Sequence, residues 1–197
     1  FLLLVHFLSA STFVKAKVQL PSILSSNMVL QQHTNVKLWG KAQKNSPITI
    51  KTSWDNKTYK TIADKQGKWL LNISTPVAGG PYEITFNDGE LLTLKNILIG
   101  EVWFCSGQSN REMPMSGFDR QPTQGTNDVI AKAKASTPIR IYNTDSKDGK
   151  WIRQFSKTPE EDCKGEWLEN TPVNVSHTSA TAYFFARYLQ EVLEVPV

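Results

Sequence analysis

Apolar and polar residues alternate in several short stretches of the first half of the chain. This two-residue period is typical of strands that bury one face. Turn-forming residues separate the stretches, and the strongest turn signal is Asn87-Asp88-Gly89. Short strands at this spacing predict a small β-sandwich over residues 17–95. The strands are expected at residues 48–54, 58–62, 69–73, 82–86 and 91–94.

The pattern changes after Asn96. Residues 97–99 and 102–105 are apolar runs without alternation, as expected of strands buried on both faces of a parallel sheet. Within the second run, Cys105 is then expected to be a buried, inert thiol. A further strand is predicted at residues 139–142.

Two helices are predicted between and after these strands. Residues 127–135 favour a helix capped by Asn127 or Asp128, and a longer helix begins near Thr178 or Ser179 and ends at Leu193. Residues 149–175 are predicted to be mostly loop, and residues 195–197 resemble the entry to another strand. Strands that alternate with helices indicate an α/β sheet. The longer helix is expected to bury one apolar face: Ala182, Phe185, Ala186, Leu189 and Leu193.

The first sixteen residues, FLLLVHFLSASTFVKA, have the pattern of a secretory leader. Residues 1–8 are apolar but too short to span a bilayer, and Val14-Lys15-Ala16 fits a cleavage site. The basic start of such a leader is missing, which suggests a clipped end, and a terminal strand is the alternative. The leader favours a secreted, extracellular or periplasmic location.

Composition excludes several classes of function. The net charge of +4 is spread over scattered lysines, which predicts a solvated surface rather than a nucleic-acid site. No stretch is long enough for a membrane span. The two cysteines, Cys105 and Cys163, lack metal-ligand spacing, so we predict no metal and no cofactor; whether they pair is left open.

The candidate chemistry lies in the block GEVWFCSGQSNREMPM, residues 100–115. An apolar run stops at Ser106-Gly107, and Ser109 follows among small and polar residues. A serine placed after a strand and a sharp turn can act as a nucleophile, and backbone N–H groups there can stabilise an oxyanion. By spacing alone, the pattern favours a serine that simply begins a loop, because the G-x-S-x-G motif is absent.

A serine nucleophile requires a base and a group that orients the base. His6 lies in the leader, and His33 lies among the sandwich strands, where a surface position is favoured. His177 precedes the long helix, where a turn or capping role is favoured over catalysis. The residues alone therefore indicate a nucleophile without a base.

The block around Ser109 resembles the nucleophile motif of the sialate O-acetylesterase family, which belongs to the SGNH-type hydrolases. The resemblance covers nearly the whole chain, with further matches in order: LPSILSSNMVLQQ, VKLWGKA, ADKQGKW, GGPYEITF, IRIYN, CKGEW and SATAYFFARYLQEVLEVPV. It implies mixed β plus α/β architecture, in which the β-sandwich precedes part of a flavodoxin-like parallel sheet over residues 96–197. It also implies an acetylated sugar or glycan as the substrate.

Carried over by residue, the resemblance makes Ser109 the nucleophile and its own N–H an oxyanion donor. Gln108 and Asn110 flank it, and Glu112 and Met113 would anchor the loop. Arg111 departs from the family block, where Met is usual. Its guanidinium could bind the carboxylate of an acidic sugar, but a solvent-facing side chain is favoured.

The resemblance also implies an incomplete site. In the family, an Asp/His pair and further oxyanion donors follow the Val-Pro-Val strand, so the base and its orienting residue are expected to be absent and the chain is expected to be an inactive amino-terminal fragment. Two alternatives remain: an acetylxylan-type esterase, and a non-catalytic carbohydrate-binding or surface protein. The second depends on Trp39, Trp54 and Trp69, which are expected to alternate into the core.

Overall fold

The computed structural model describes residues 17–144, 146–147, 150–151, 158 and 161–197. The predicted leader therefore lies outside the described residues. Seven strands come first along the chain: β1 (Val29–Gln31), β2 (Asn35–Lys41), β3 (Pro47–Thr52), β4 (Thr58–Ile62), β5 (Lys68–Ser74), β6 (Gly79–Asn87) and β7 (Leu91–Gly100).

Helices and short strands make up the second half of the described chain. The helices are α1 (Ser109–Glu112), α2 (Asn127–Lys132), α3 (Pro172–Ser176) and α4 (Ala180–Leu193). The strands are β8 (Arg140–Asn143), β9 (Ser146–Lys147), β10 (Lys150–Trp151) and β11 (Glu166–Glu169). No helix within the described residues is long and apolar enough to cross a membrane.

A mixed five-stranded sheet organises the first half, in the order β1-β7-β6-β3-β4. β1 runs parallel to β7, and the other pairs are antiparallel. β2 and β5 form a separate antiparallel pair. Both sheets contribute to one core, because Leu38 and Ile73 from the pair are buried with Ile50 and Phe86 from the larger sheet. This core follows from the alternation in the sequence, which places every second side chain inward.

The predicted strands of this region are confirmed to within a few residues, and so is the turn at Asn87-Asp88-Gly89. There the Asn87 Oδ1 atom accepts a hydrogen bond from the Gly89 N–H at 2.8 Å, and Gly89 has φ +111°, a conformation that glycine adopts without strain. The prediction that the tryptophans alternate into the core is wrong for Trp39. Trp69 is buried, whereas Trp39 is 37% exposed on the outer face of β2.

β7 connects the two halves of the molecule. It pairs with β6 from Leu91 to Ile99 and with β1 from Leu98 to Gly100. The domain boundary predicted at residues 95–96 therefore falls inside one continuous strand. Gly100 is required at its end, because a Cβ there would clash with the carbonyl of Pro196. β7 therefore carries the chain directly from the β-rich half to the candidate site.

The segment at residues 195–197 lies between β7 and β8. The Glu101 N–H donates to Pro196 O at 2.8 Å, the Arg140 N–H donates to Val197 O at 2.9 Å, and the Val197 N–H donates to Pro138 O at 3.0 Å. In parallel pairing, a residue donates to the residue before its partner and accepts from the residue after it, as Val197 does on either side of Ile139. Residues 195–197 are assigned to no strand, but these bonds give them the pairing expected of a strand entry, and β11 lies on the far side of β8.

Two predictions for the second half are wrong in detail. The expected loop at residues 149–175 contains β11 and α3, and α3 begins at Pro172 with the Thr171 hydroxyl accepting from the Asn174 N–H at 3.3 Å. α4 has the predicted bounds, but it buries Ala180 and Tyr183 while Phe185 is exposed. The expected apolar face is thus only partly buried: Ala182, Ala186 and Leu189 are half-buried, whereas Leu193 is exposed.

Contacts from residues 161–169 join the second half to the β-rich half. Asp162 accepts from the Ser22 N–H at 3.0 Å and from its hydroxyl at 2.8 Å, and the Trp167 indole donates to Ile23 O at 2.7 Å. Asn96 on β7 donates to Glu169 at 3.0 Å. These bonds fix the two halves against each other.

Candidate active site

Two glutamine side chains hold the chain where it leaves β7. Gln31 and Gln32 donate to the Glu101 carboxylate at 3.2 and 2.8 Å, and Gln31 Oε1 accepts from the Val102 N–H at 2.9 Å. Hydrogen bonds from Gln32 and then Gln31 lower the pKa of Glu101 below its ordinary value. The start of the candidate block is therefore anchored to the end of β1.

The next four residues do not form the buried strand that their composition predicts. Val102, Trp103, Phe104 and Cys105 belong to no strand and are exposed, Phe104 by 92%. The regular pairing ends at Glu101, and within the described residues only the Trp103 ring finds an aromatic partner, Phe185, at a centroid distance of 5.1 Å. The prediction that Cys105 is a buried thiol is also wrong, because its side chain is exposed and free.

Ser109 opens the one-turn helix α1. Its side chain is exposed, and its hydroxyl has no hydrogen-bond partner among the described residues. The helix closes with two bonds of 3.2 Å, from the Glu112 N–H to Gln108 O and from the Met113 N–H to Ser109 O. Because the first N–H groups of a helix have no intrahelical acceptor, the Ser109 N–H makes no hydrogen bond within α1.

The other end of the Ser109 turn is held by the start of α4. The Ala180 N–H donates to Met113 O at 2.9 Å, and the Met115 N–H donates to Thr178 O at 2.8 Å. Met115 is fully buried in a small core with Val175 and Tyr183. The turn is thus fixed at both ends while the serine itself faces solvent.

Neither described histidine is paired with Ser109. The register of the 113–116 segment against 176–180 places His177 beside Met115 and Ser116, at the end of the segment away from Ser109. His33 lies in the β1–β2 turn, where its N–H donates to Pro76 O. His6 lies outside the described residues. Among the described residues, the hydrogen bonds therefore place neither His33 nor His177 next to Ser109.

The remaining predicted site residues surround Ser109 in the chain. Gln108 is exposed and occupies the position before α1. Asn110 and Arg111 lie within α1, and their side chains lie outside the described atoms. Glu112 is partly buried. The structure thus brings these residues onto one turn.

Among the described residues, no three His, Cys, Asp or Glu side chains are grouped so that they could hold a metal ion. Two open cavities, of about 520 and 470 Å³, are lined by other parts of the molecule and not by Ser109. Ser109 itself lies on an exposed turn, and neither of these two cavities adjoins it.

Comparison with known proteins gives a consistent result, although no protein-family model matches the chain. The mouse sialate O-acetylesterase is 24% identical over 191 residues, and the human sialate O-acetylesterase is 22% identical over 191 residues; each match covers 89% of this chain. The chain is related to the sialate O-acetylesterases. It spans about a third of the length of these relatives.

A solved structure supports the same relationship. The crystal structure of a carbohydrate acetylesterase from Xanthomonas citri superposes with a TM-score of 0.80 and 28% sequence identity. The match covers 91% of this chain and 39% of the other. The mixed, sheet-rich architecture is therefore shared with a carbohydrate acetylesterase.

Sequence reasoning did not identify the residues that anchor the Ser109 turn. Gln31, Gln32 and Glu101 are separated by about 70 positions and share no spacing signal. The one sequence signal is that the Gln pair ends one matched block and that Glu101 is the second residue of another. Their association depends on the parallel pairing of β1 with β7.

Proposed function

We propose that this chain provides the nucleophile region of a carbohydrate O-acetylesterase, with O-acetylated sialic acid as the first candidate substrate. The observation that carries the proposal is Ser109, exposed on an anchored turn that follows β7. The similarity to sialate O-acetylesterases and to a carbohydrate acetylesterase supports the same reaction class.

In the proposed reaction, the Ser109 Oγ attacks the carbonyl carbon of the acetyl ester and loses its proton to a base. The tetrahedral oxyanion accepts a hydrogen bond from the Ser109 N–H. Collapse breaks the bond to the sugar oxygen, which takes the proton and leaves as an alcohol. Water then attacks the acyl-serine and releases acetate.

We propose that the base comes from polypeptide outside the described residues. The support is geometric: His33 is in the β1–β2 turn, and His177 is at the far end of the segment that follows Ser109. A serine without a base reacts slowly, so we expect the 197-residue chain alone to show little turnover. Gln108, Asn110 and Arg111 would border the substrate in the complete site.

Two finer features of the architecture belong to this proposal. The shared core of the two sheets supports a β-sandwich over residues 17–95. The parallel hydrogen bonds among residues 101, 138–140 and 196–197 support the first part of a flavodoxin-like hydrolase sheet. We also propose secretion, based on the apolar leader in residues 1–16; amino-terminal sequencing of exported protein tests it.

The test uses the protein expressed from its own gene and measures acetate released from O-acetylated sialic acid. Ser109→Ala is expected to lower kcat by several orders of magnitude, because it removes the nucleophile. Ser106→Ala is the matched control, since Ser106 is an exposed serine three positions earlier. A fluorophosphonate should label the peptide containing Ser109. Full activity of the Ser109→Ala protein would disprove the assignment.

Two alternatives predict different results in the same assay. An acetylxylan-type esterase would release acetate from acetylated xylan faster than from the sialic acid ester. A non-catalytic carbohydrate-binding protein would bind glycans and hydrolyse neither substrate. The exposed ring of Trp39 is the observation that favours the binding alternative.

A further inference from the structure

A cavity of about 520 Å³ lies on the outer face of the β2–β5 pair, away from Ser109. We propose that it is a carbohydrate-binding site that takes a neutral pyranose unit of a glycan. The volume falls within the range of small-molecule sites. The lining residues that carry the argument are Trp39, Leu70, Lys41, Lys68 and Glu161.

The floor of this Trp39 cavity is an exposed apolar pair. Trp39 on β2 is directly opposite Leu70 on β5, and both side chains are on the face that does not join the core. Leu20 and Pro21 extend the same surface. An exposed aromatic ring beside aliphatic side chains offers a flat apolar platform. The C–H face of a pyranose ring is matched to such a platform.

The rim is charged and held in place. Lys41 and Lys68 also lie opposite each other on the two strands, where like charges repel. Glu161 bridges them, accepting from Lys41 Nζ at 2.8 Å and from Lys68 Nζ at 2.7 Å. Because an ammonium group has three donors, each lysine keeps N–H groups that can bind sugar hydroxyls.

Trp69 takes no part in this platform. Side chains alternate between the two faces of a strand, so Trp69 lies on the opposite face of β5 from Leu70. Its ring is 4% exposed and packs against Phe86 in the core, with the ring centroids 5.9 Å apart.

The charge balance favours a neutral ligand. The cavity is lined by two lysines and by three carboxylates: Asp64, Glu161 and Asp162. A strongly acidic or basic ligand would meet like charges here, whereas hydroxyl groups can bind both donors and acceptors. The choice of a carbohydrate rests on the proposed function, but binding at this site requires nothing from Ser109. Since Glu161 and Asp162 belong to the second half, the site is assembled from both halves.

The test is calorimetric titration of the protein with three neutral oligosaccharides: xylohexaose, cellohexaose and chitohexaose. At least one is expected to bind, and Trp39→Ala should weaken its binding about tenfold, with Trp39→Phe between the two. Ile62→Ala is the control, because Ile62 is an exposed residue of the same half outside the cavity lining. Thermal unfolding verifies that each variant is folded.

Three results would overturn the proposal. The first is no saturable binding of any probe up to about 10 mM. The second is equal binding by Trp39→Ala and the unsubstituted protein. The third is concentration-dependent dimerisation that Trp39→Ala abolishes, which would identify the face as an interface between copies. Ser109→Ala should bind the probe normally, so loss of esterase activity and loss of this site are separate outcomes.

Discussion

Phe86 and Phe104 illustrate how differently the two halves of this molecule use their apolar residues. Phe86 is fully buried where β6 meets the β2–β5 pair, whereas Phe104 is 92% exposed just after β7. Fifteen buried hydrophobic residues form the core of the first half, and five form the core of the second half among the described residues. Among the described residues, the first half has the larger core, and the second half exposes more large apolar side chains.

This difference shows that the apolar character of a segment predicts its burial only where partner strands are present. In the first half, every predicted strand pairs with another strand and contributes to one core. After Glu101, residues 102–105 belong to no strand and are exposed, although the Trp103 ring contacts Phe185. Four predictions test this comparison.

The largest expected effect is a difference in the free energy of unfolding between substitutions of the two phenylalanines. Phe86→Ala should lower the free energy of unfolding by about 3–5 kcal/mol, because it removes a buried ring and leaves a cavity. Phe104→Ala should change it by less than about 0.5 kcal/mol, because the ring is exposed. Urea unfolding of both variants measures the difference. Similar losses for the two would show that Phe104 is buried in solution.

A second pair of variants examines whether the small core of the second half is nevertheless ordered. Tyr183 is buried and donates to Asn170 Oδ1 at 2.8 Å, and burial raises the pKa of its phenol. Tyr183→Phe should cost about 1–3 kcal/mol, because the buried amide oxygen loses its donor. Tyr188→Phe on the exposed face of α4 is the control, with almost no change expected. Equal effects would indicate that this core is loosely packed.

The exposed rings of Trp103 and Phe104 in the second half should also promote self-association. Replacing both Trp103 and Phe104 by Ser is expected to raise the monomeric fraction, because it removes neighbouring exposed rings. Ile62→Ser and Leu91→Ser remove exposed apolar side chains from the first half and should leave association unchanged. Light scattering over a range of concentrations measures both. Association that persists in the Trp103/Phe104 variant would contradict the expectation.

The smallest effect concerns the contact between the halves and depends on pH. Hydrogen bonds from Lys41 and Lys68 lower the pKa of Glu161 to about 2. A carboxyl group whose pKa is lowered by folding stabilises the folded state above its ordinary pKa, and this contribution is lost as the pH falls towards 2. Thermal unfolding of the unsubstituted protein and of Glu161→Gln should therefore differ slightly at neutral pH and converge in acid.

Salt provides the control for that experiment. Because the side chains involved are exposed, high ionic strength should reduce the difference between Glu161→Gln and the unsubstituted protein at neutral pH. A difference that grows in acid or in high salt would show that Glu161 acts through packing rather than through its charge.

Much of the fold and part of the candidate site could be predicted from local patterns. Alternation located the strands around Ile50, Trp69 and Ile84, and a turn signal located Gly89. The resemblance of the block around Ser109 pointed to the sialate O-acetylesterases, to which the comparisons find the chain similar. The anchoring by Gln31 and Gln32 could not be predicted, because it depends on a strand pairing between residues about 70 positions apart.

Local sequence patterns are enough to locate the strands and turns and the position of Ser109 after β7, because these features depend on neighbouring residues and on the two-residue period of a strand. Which apolar residues are buried depends on tertiary packing. It placed Trp69 inside and Trp39 outside, turned Tyr183 rather than Phe185 towards the core, and left Phe104 exposed. The physical reason is that burial depends on what packs against a face, and that surface comes from distant parts of the chain.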